Sequence, residues 1–180
     1  AAMKSIKTDL IDSVSSDELT PIGQAYALNI PAGRLAAPVN LTMALPDGKW
    51  APGMALFHMD GAGVWKFVSR LNENGFIKYA SLRGGSFALL QDSQGPRASM
   101  LTKSDPLKPI RDPRPTFEWS YSEEGSGLEI MSVKAVVDGK EEEPILDEKS
   151  GKVIYKPFDP MVGGEHALAL KIADRSGNIT

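Results

Sequence analysis

Two histidines, His58 in MALFHM and His166 in GGEHALAL, have the widest chemical repertoire in the chain. Acid–base catalysis or zinc binding by histidine needs partners at fixed spacing, as in H-E-x-x-H. Neither histidine has such partners. Alternation instead puts His58 on the face of Leu56, and His166 on the face of Leu168 and Leu170, so both read as strand histidines. The chain has no cysteine. That removes thiol catalysis, zinc fingers and iron–sulfur sites. G-x-S-x-G and a supported S-x-x-K are missing, and GRLAAP and RGGSFALL lack the G-x-x-x-x-G-K-[ST] phosphate loop. No catalytic, cofactor-binding or metal-ligating residue is assigned, and no cofactor is expected.

Acidic residues raise the question of calcium: Asp174 and Asn178 in DRSGN, Glu123 and Glu124, and the run Glu141, Glu142, Glu143. Calcium takes six or more oxygens, converging from several loops. DRSGN has a simpler use as a turn, in which the Asp174 side chain accepts backbone N–H groups two residues on and Gly177 supplies a positive φ. The triple glutamate reads as a solvated hairpin tip that discourages edge pairing. A sugar-stacking platform would need two or three of Trp50, Trp65, Trp119, Tyr79 and Tyr121 exposed in one plane. Trp65, Trp119 and Phe87 sit in apolar alternating runs and read as core. Trp50, between LPDGK and APG, reads as a loop residue and is the one candidate ligand contact.

The elements that must carry these residues read as strands. YALNI, VNLTMAL, MALFHM, VWKFVS, FIKYA and SFALL are short runs with partial or full alternation, separated by PAG, PDG, DGAG, NENG and RGG. FEWSY, EIMSVKAVVD, KVIYKP and HALALKIAD continue the pattern, set off by EEGSG, DGKEEEP, DEKSG and VGG. Strand signals at roughly ten-residue spacing mark a sandwich or barrel. The one helix candidate, SVSSDELTPIG, carries Pro21 inside and amounts to a turn of helix at most. In the second half, alternation puts Leu168, Leu170 and Ile172 in the core and turns Ala167, Ala169 and Lys171 outward. Trp119 and Tyr121 share a face and Phe117 joins them across the pleat, Val133, Ala135 and Val137 share a face, and Val153 and Tyr155 oppose Ile154.

The 180 residues suffice for one large or two small domains. Pro96, Pro106, Pro109, Pro113 and Pro115 crowd the middle of the chain, and proline cannot donate to a sheet ladder. The expected organisation is all-β: a sandwich over residues 1–95, a proline-containing linker over 96–105, and a second sandwich over 106–180. A net charge of −3 argues against a nucleic-acid partner, which calls for clustered Lys and Arg. No apolar run reaches the roughly 20 residues of a transmembrane helix. The start, AAMKSIKTDL, lacks the apolar segment of a secretory signal, and Met3 behind two alanines points to a fragment or processed chain.

RPTFEWSYSEEGSGLEIMSVKAVVDGK and SGKVIYKPFDPMVGGEHALALKIADRSGN resemble the opening and closing strands of bacterial immunoglobulin-like domains, over nearly all of 114–178. YALNIPAGRLAAPVNLTMAL with MALFHMDGAGVWKFVSRLNENGFIKYASLRGGSFALLQD is similar to the β-sandwich of netrin receptors and ankyrins and its bacterial relatives. The order of FALLQD, short linker and immunoglobulin-like domain resembles the C-terminal tail of exported lysostaphin-like cell-wall metallopeptidases, although their metal motif is missing here.

The resemblance implies two sandwiches in tandem, the second immunoglobulin-like, in an extracellular, cell-surface or periplasmic protein. The expected role is a non-catalytic accessory, spacer or adhesion module. Its partner would be a cell-surface polymer or protein of unknown identity. The alternatives are the targeting region of a metallopeptidase whose catalytic domain lies outside this chain, and a carbohydrate-binding module that uses Trp50. A monomer is expected. After DRSGN such a fold needs a strand returning beside HALALKIAD, and only Ile179 and Thr180 follow. Truncation of that strand is expected in preference to strand exchange with another chain.

Overall fold

Short β-branched and aromatic runs broken by glycine turns leave the backbone few options besides antiparallel ladders, and these are what form. A computed structural model describes residues 3–5, 18–29, 34–102 and 109–180. The chain forms two units. The first comprises Ala1–Gln94, Glu124–Gly127 and Arg175–Asn178, and the second Gly95–Glu123, Leu128–Asp174 and Ile179–Thr180. The chain is all-β, with two antiparallel sheets in each unit. Among the described residues no helix is long and apolar enough to cross a membrane.

In the first unit the strands are β1 (Met3–Ser5), β2 (Leu19–Leu28), β3 (Arg34–Ala44), β4 (Met54–Met59), β5 (Trp65–Ser69), β6 (Asn72–Glu73), β7 (Phe76–Arg83) and β8 (Gly85–Asp92). They make a five-stranded sheet, β1-β2-β8-β4-β5, and a three-stranded sheet, β3-β7-β6. Leu28, Leu41, Met43, Leu56, Ile77, Phe87 and Leu89 fill the core to which both sheets contribute. A second cluster, with Leu19, Ala25, Ala55, Phe57, Trp65, Ala88 and Leu90, occupies the other face of the five-stranded sheet. Burial of both faces explains why MALF and FALL are unbroken apolar runs: alternation is lost where both faces leave water. The helix candidate is corrected in part. Ser13–Asp17 lie outside the described residues, but Leu19–Gly23 belong to β2, where Leu19 packs into the second cluster. Pro21 is accommodated in that strand, and the register shifts between Ile22 and Tyr26. Between β6 and β7 the turn is Asn74-Gly75, both at positive φ, the two-residue form that suits strand twist.

In the second unit the strands are β9 (Arg97–Met100), β10 (Phe117–Ser122), β11 (Lys134–Val137), β12 (Lys140–Glu142), β13 (Ile145–Asp147), β14 (Lys152–Tyr155) and β15 (Leu168–Lys171). One sheet runs β13-β14-β10-β9 and the other β12-β11-β15. Phe117, Trp119, Val153 and Tyr155 from the first sheet meet Val133, Ala135, Val137 and Ile172 in one core. Within the stretch expected as linker, β9 pairs with β10, from Met100 opposite Trp119 to Arg97 opposite Ser122.

The expected faces are present. Ile172 is fully buried, Leu168 and Leu170 are half-buried against the core, and Ala167, Ala169 and Lys171 are exposed. Two strands are shorter than their sequence pattern. Ile130–Ser132 is a 3-10 turn rather than the start of β11, because Ser132 Oγ donates to the Glu129 carbonyl at 2.6 Å and accepts the Ala173 N–H at 2.8 Å. The chain end meets β15's continuation: Ile172 and Thr180 exchange two backbone hydrogen bonds, at 3.1 and 2.9 Å.

Burial along this strand sets an order of effects. Ile172→Ala should lower the unfolding free energy by about 2–5 kcal/mol, as large-to-small core changes do, and Leu170→Ala by less. Urea denaturation measures both. Equal small effects, or the reverse order, would mean that the strand's register is different.

Candidate functional site

The Asp138-Gly139 turn joins β11 to β12 with both residues at positive φ, and it aims the Asp138 carboxylate at the segment before β15. Asp138 Oδ1 accepts the Ala167 N–H at 2.9 Å, and Oδ2 lies 2.7 Å from His166 Nδ1. His166 Nε2 lies 2.7 Å from the Val162 carbonyl. Both ring nitrogens therefore face oxygen acceptors, and both can donate only as imidazolium. Asp138 first, and the Val162 carbonyl second, hold the His166 pKa above its usual value, while the hydrogen bond from His166 holds the Asp138 carboxyl below its own. This corrects the expected placement of His166. It does not share the inward face of Leu168 and Leu170 but sits exposed ahead of the strand, because Asp138 captures the ring and the next N–H.

The acidic residues weighed for calcium are dispersed among structural contacts. Glu141 pairs with Lys171 at 2.8 Å, Glu143 pairs with Lys134, and Glu142 accepts the Tyr155 hydroxyl at 2.6 Å. The run is thus a set of three cross-strand ties, not a merely solvated tip. Burial, followed by the Glu142 contact, raises the pKa of the Tyr155 hydroxyl and keeps it protonated. Asp174 is fully buried in the second unit, opposite Leu128 in an isolated bridge. Asn178, in the first unit, donates to the Asp92 carbonyl at 3.1 Å and the Gln94 carbonyl at 3.3 Å. Glu123 is half-buried and Glu124 exposed. Among the described residues, no group of three or more His, Asp or Glu is placed to hold a metal ion.

A polar centre that sequence reading missed is Asp92, fully buried at the end of β8. Its Oδ2 accepts the Ser126 N–H at 2.7 Å, and its own N–H donates to the Gly53 carbonyl at 2.9 Å. Ser126 Oγ in turn accepts the Ser176 N–H at 3.0 Å. The only hint in the sequence is register: Asp92 follows Ala88 and Leu90 on a face that is otherwise apolar.

Trp65, Trp119 and Phe87 are buried, as their apolar runs imply. Trp50 is half-buried, and its ring packs against the core that the two sheets of the first unit share. Tyr79 and Tyr121 are half-buried. His58 sits at 4.7 Å from the Phe87 ring, and its Nε2–H donates to the Gly84 carbonyl at 3.1 Å.

Among the described residues of the first unit, open grooves lie beside two strand pairs. One, of about 440 Å³, lies between β5 and β7 beside His58. The other, of about 650 Å³, lies between β2 and β3 and is lined by Ile22, Tyr26, Thr42, Met43, Leu45 and Leu89. No family model matches the chain, and no curated protein matches it.

The His166–Asp138 pair carries a pH signature. The raised His166 pKa stabilises the fold below the unfolded histidine value of about 6.5, and this contribution is lost as pH rises through the folded value. The lowered Asp138 pKa contributes above the unfolded aspartate value of about 3.9 and is lost as pH falls through the folded one. The pair is therefore fully effective between about pH 4 and pH 6.5. In an NMR titration, His166 should titrate above the value of an unstructured histidine peptide, and Asp138→Asn should bring it down. A His166 midpoint unmoved by that substitution would contradict the pairing.

Proposed function

We infer that the chain is a non-catalytic accessory module, a spacer or adhesive element, of an exported bacterial protein. The observation that carries this reading is the strand order of the second unit. Lettered in chain order, β9, β10, β13 and β14 take the places A, B, D and E, and β11, β12 and β15 take C, C′ and F. The orders β13-β14-β10-β9 and β12-β11-β15 then read D-E-B-A and C′-C-F, which supports the immunoglobulin-type reading of this unit. Thr180 lies beside Ile172 on the edge that strand G takes in that fold.

The exported bacterial setting rests on the sequence resemblance. Modules of this kind present variable loops on a fixed scaffold. The β14–β15 loop fits that use. Met161 N–H donates to the Pro113 carbonyl at 2.8 Å and His166 ties down Val162, yet the loop displays Phe158 and Val162 at 87% and 79% exposure. Its backbone is held while its apolar side chains face water.

The test is incubation of the 180-residue chain with purified bacterial cell walls. It should sediment with the walls and release neither soluble amino groups nor reducing ends. Fragment release that scales with protein concentration would contradict a non-catalytic module.

A further inference from the structure

The groove of the first unit between β5 and β7 is where the sandwich interior changes character. On β7 the inward row runs from buried Ile77 through half-buried Tyr79 and buried Ser81 to exposed Arg83. On β4 it runs from buried Leu56 to half-buried His58, and on β5 from Val68 to exposed Lys66, which stands opposite His58 in register. Three strands thus bring a cation or an imidazole to the same mouth. A lysine on an edge strand by itself reads as a guard against edge pairing. That reading covers Lys66 on β5 but not His58 or Arg83, which come from the strands interior to each sheet.

The mouth is also held in place. Gly85 has φ +131°, and a Cβ there would come within 2.5 Å of His58 Nε2, so a side chain at 85 would displace the ring. The Gly84 carbonyl takes the Nε2–H, which leaves Nδ1 as the ring atom with no hydrogen-bond partner among the described residues. Ser81 Oγ donates to the Arg83 carbonyl at 2.8 Å and accepts the Arg83 N–H at 3.1 Å, fixing the backbone from which the guanidinium extends. Neither Lys66 nor Arg83 makes a salt bridge among the described residues. Asp60, whose carboxyl is held low by the Val64 and Ala62 N–H groups, feels both Lys66 and His58. Its Oδ1 already accepts those two N–H groups at 2.9 Å.

We propose that this groove, walled by His58 and Tyr79 and flanked by Lys66 and Arg83, binds an anionic sugar unit. The carboxylate or phosphate would lie between the two cations, where charge-assisted hydrogen bonds are strongest. The less polar face of the ring would lie against the aromatic wall. A volume of about 440 Å³ suits a monosaccharide and its substituent. The site goes beyond the accessory-module reading and does not rest on it.

The test is an amide-shift titration of the full chain at low salt with glucuronate, glucose 6-phosphate, glucose and inorganic phosphate. At least one charged sugar should give saturable shifts centred on His58, Lys66, Ser81 and Arg83. The comparison between the two charged sugars identifies the anionic group. Glucose and inorganic phosphate should each bind at least about tenfold more weakly, about 1.4 kcal/mol. Lys66→Gln with Arg83→Gln should weaken the charged sugar by about tenfold or more at an unchanged melting temperature. Lys66→Gln alone should show part of that loss if the double variant unfolds. No saturable shift with either charged sugar, equal binding of glucose or of bare phosphate, or undiminished binding by a folded variant would overturn the proposal. Each of these would leave the cell-wall result standing.

Discussion

Asp92 ends a strand that is buried on both faces, and its carboxylate has no access to water. A buried carboxylate is tolerated only where donors replace its hydration. The Ser126 N–H, 34 residues along the chain, supplies one of them at 2.7 Å, and the Gln94 N–H lies 3.4 Å from the other oxygen. The same residue's carbonyl accepts the Asn178 amide, 86 residues along. Close backbone approach is part of the arrangement. A Cβ on Gly53 would fall 1.9 Å from the Asp92 carbonyl oxygen, and one on Gly125 2.4 Å from Oδ2. Two glycines and one aspartate thus place Glu124–Gly127 and Arg175–Asn178 within the first unit.

The same economy recurs in the second unit. Asp138 caps a segment and holds a histidine, Ser132 closes a 3-10 turn, and Tyr155 and the three glutamates tie strands to one another. Individual surface ion pairs such as Glu141–Lys171 are screened by solvent and set geometry more than stability. The buried apolar rows carry the stability. Asp138, Ser132, Tyr155 and the three glutamates are thereby committed to backbone and cross-strand bonds. The mouth of the first unit's groove is different, because there Lys66 and Arg83 keep their charges for solvent or a ligand.

What the sequence made legible follows from geometry. Alternation in AVV and LALK reports a strand with one dry face, so the inward positions Ala135, Val137 and Ile172 could be named from spacing alone. The Asn74-Gly75 and Asp138-Gly139 turns were legible because few other residue pairs accept two successive positive φ values. Strand ends were not legible. Where Asp138 captures His166 and Ala167, or Ser132 captures Ala173, a side chain from a distant residue ends the ladder, and no local pattern records it. The buried Asp92 and the convergence of His58, Lys66 and Arg83 were hidden for the same reason: each residue looks ordinary until the sheets bring its partners in.

The central claim is that buried polar residues here hold backbone in place, and Asp92 is its sharpest case. The direct measurement is amide hydrogen exchange at Ser126, together with urea denaturation, in the wild-type chain and in Asp92→Asn. The neutral amide presents one acceptor oxygen where the carboxylate presents two. Protection of the Ser126 amide should fall as a charge-assisted bond becomes a neutral one, and stability should fall by about 1–3 kcal/mol. Unchanged protection at Ser126 with unchanged stability would contradict the account.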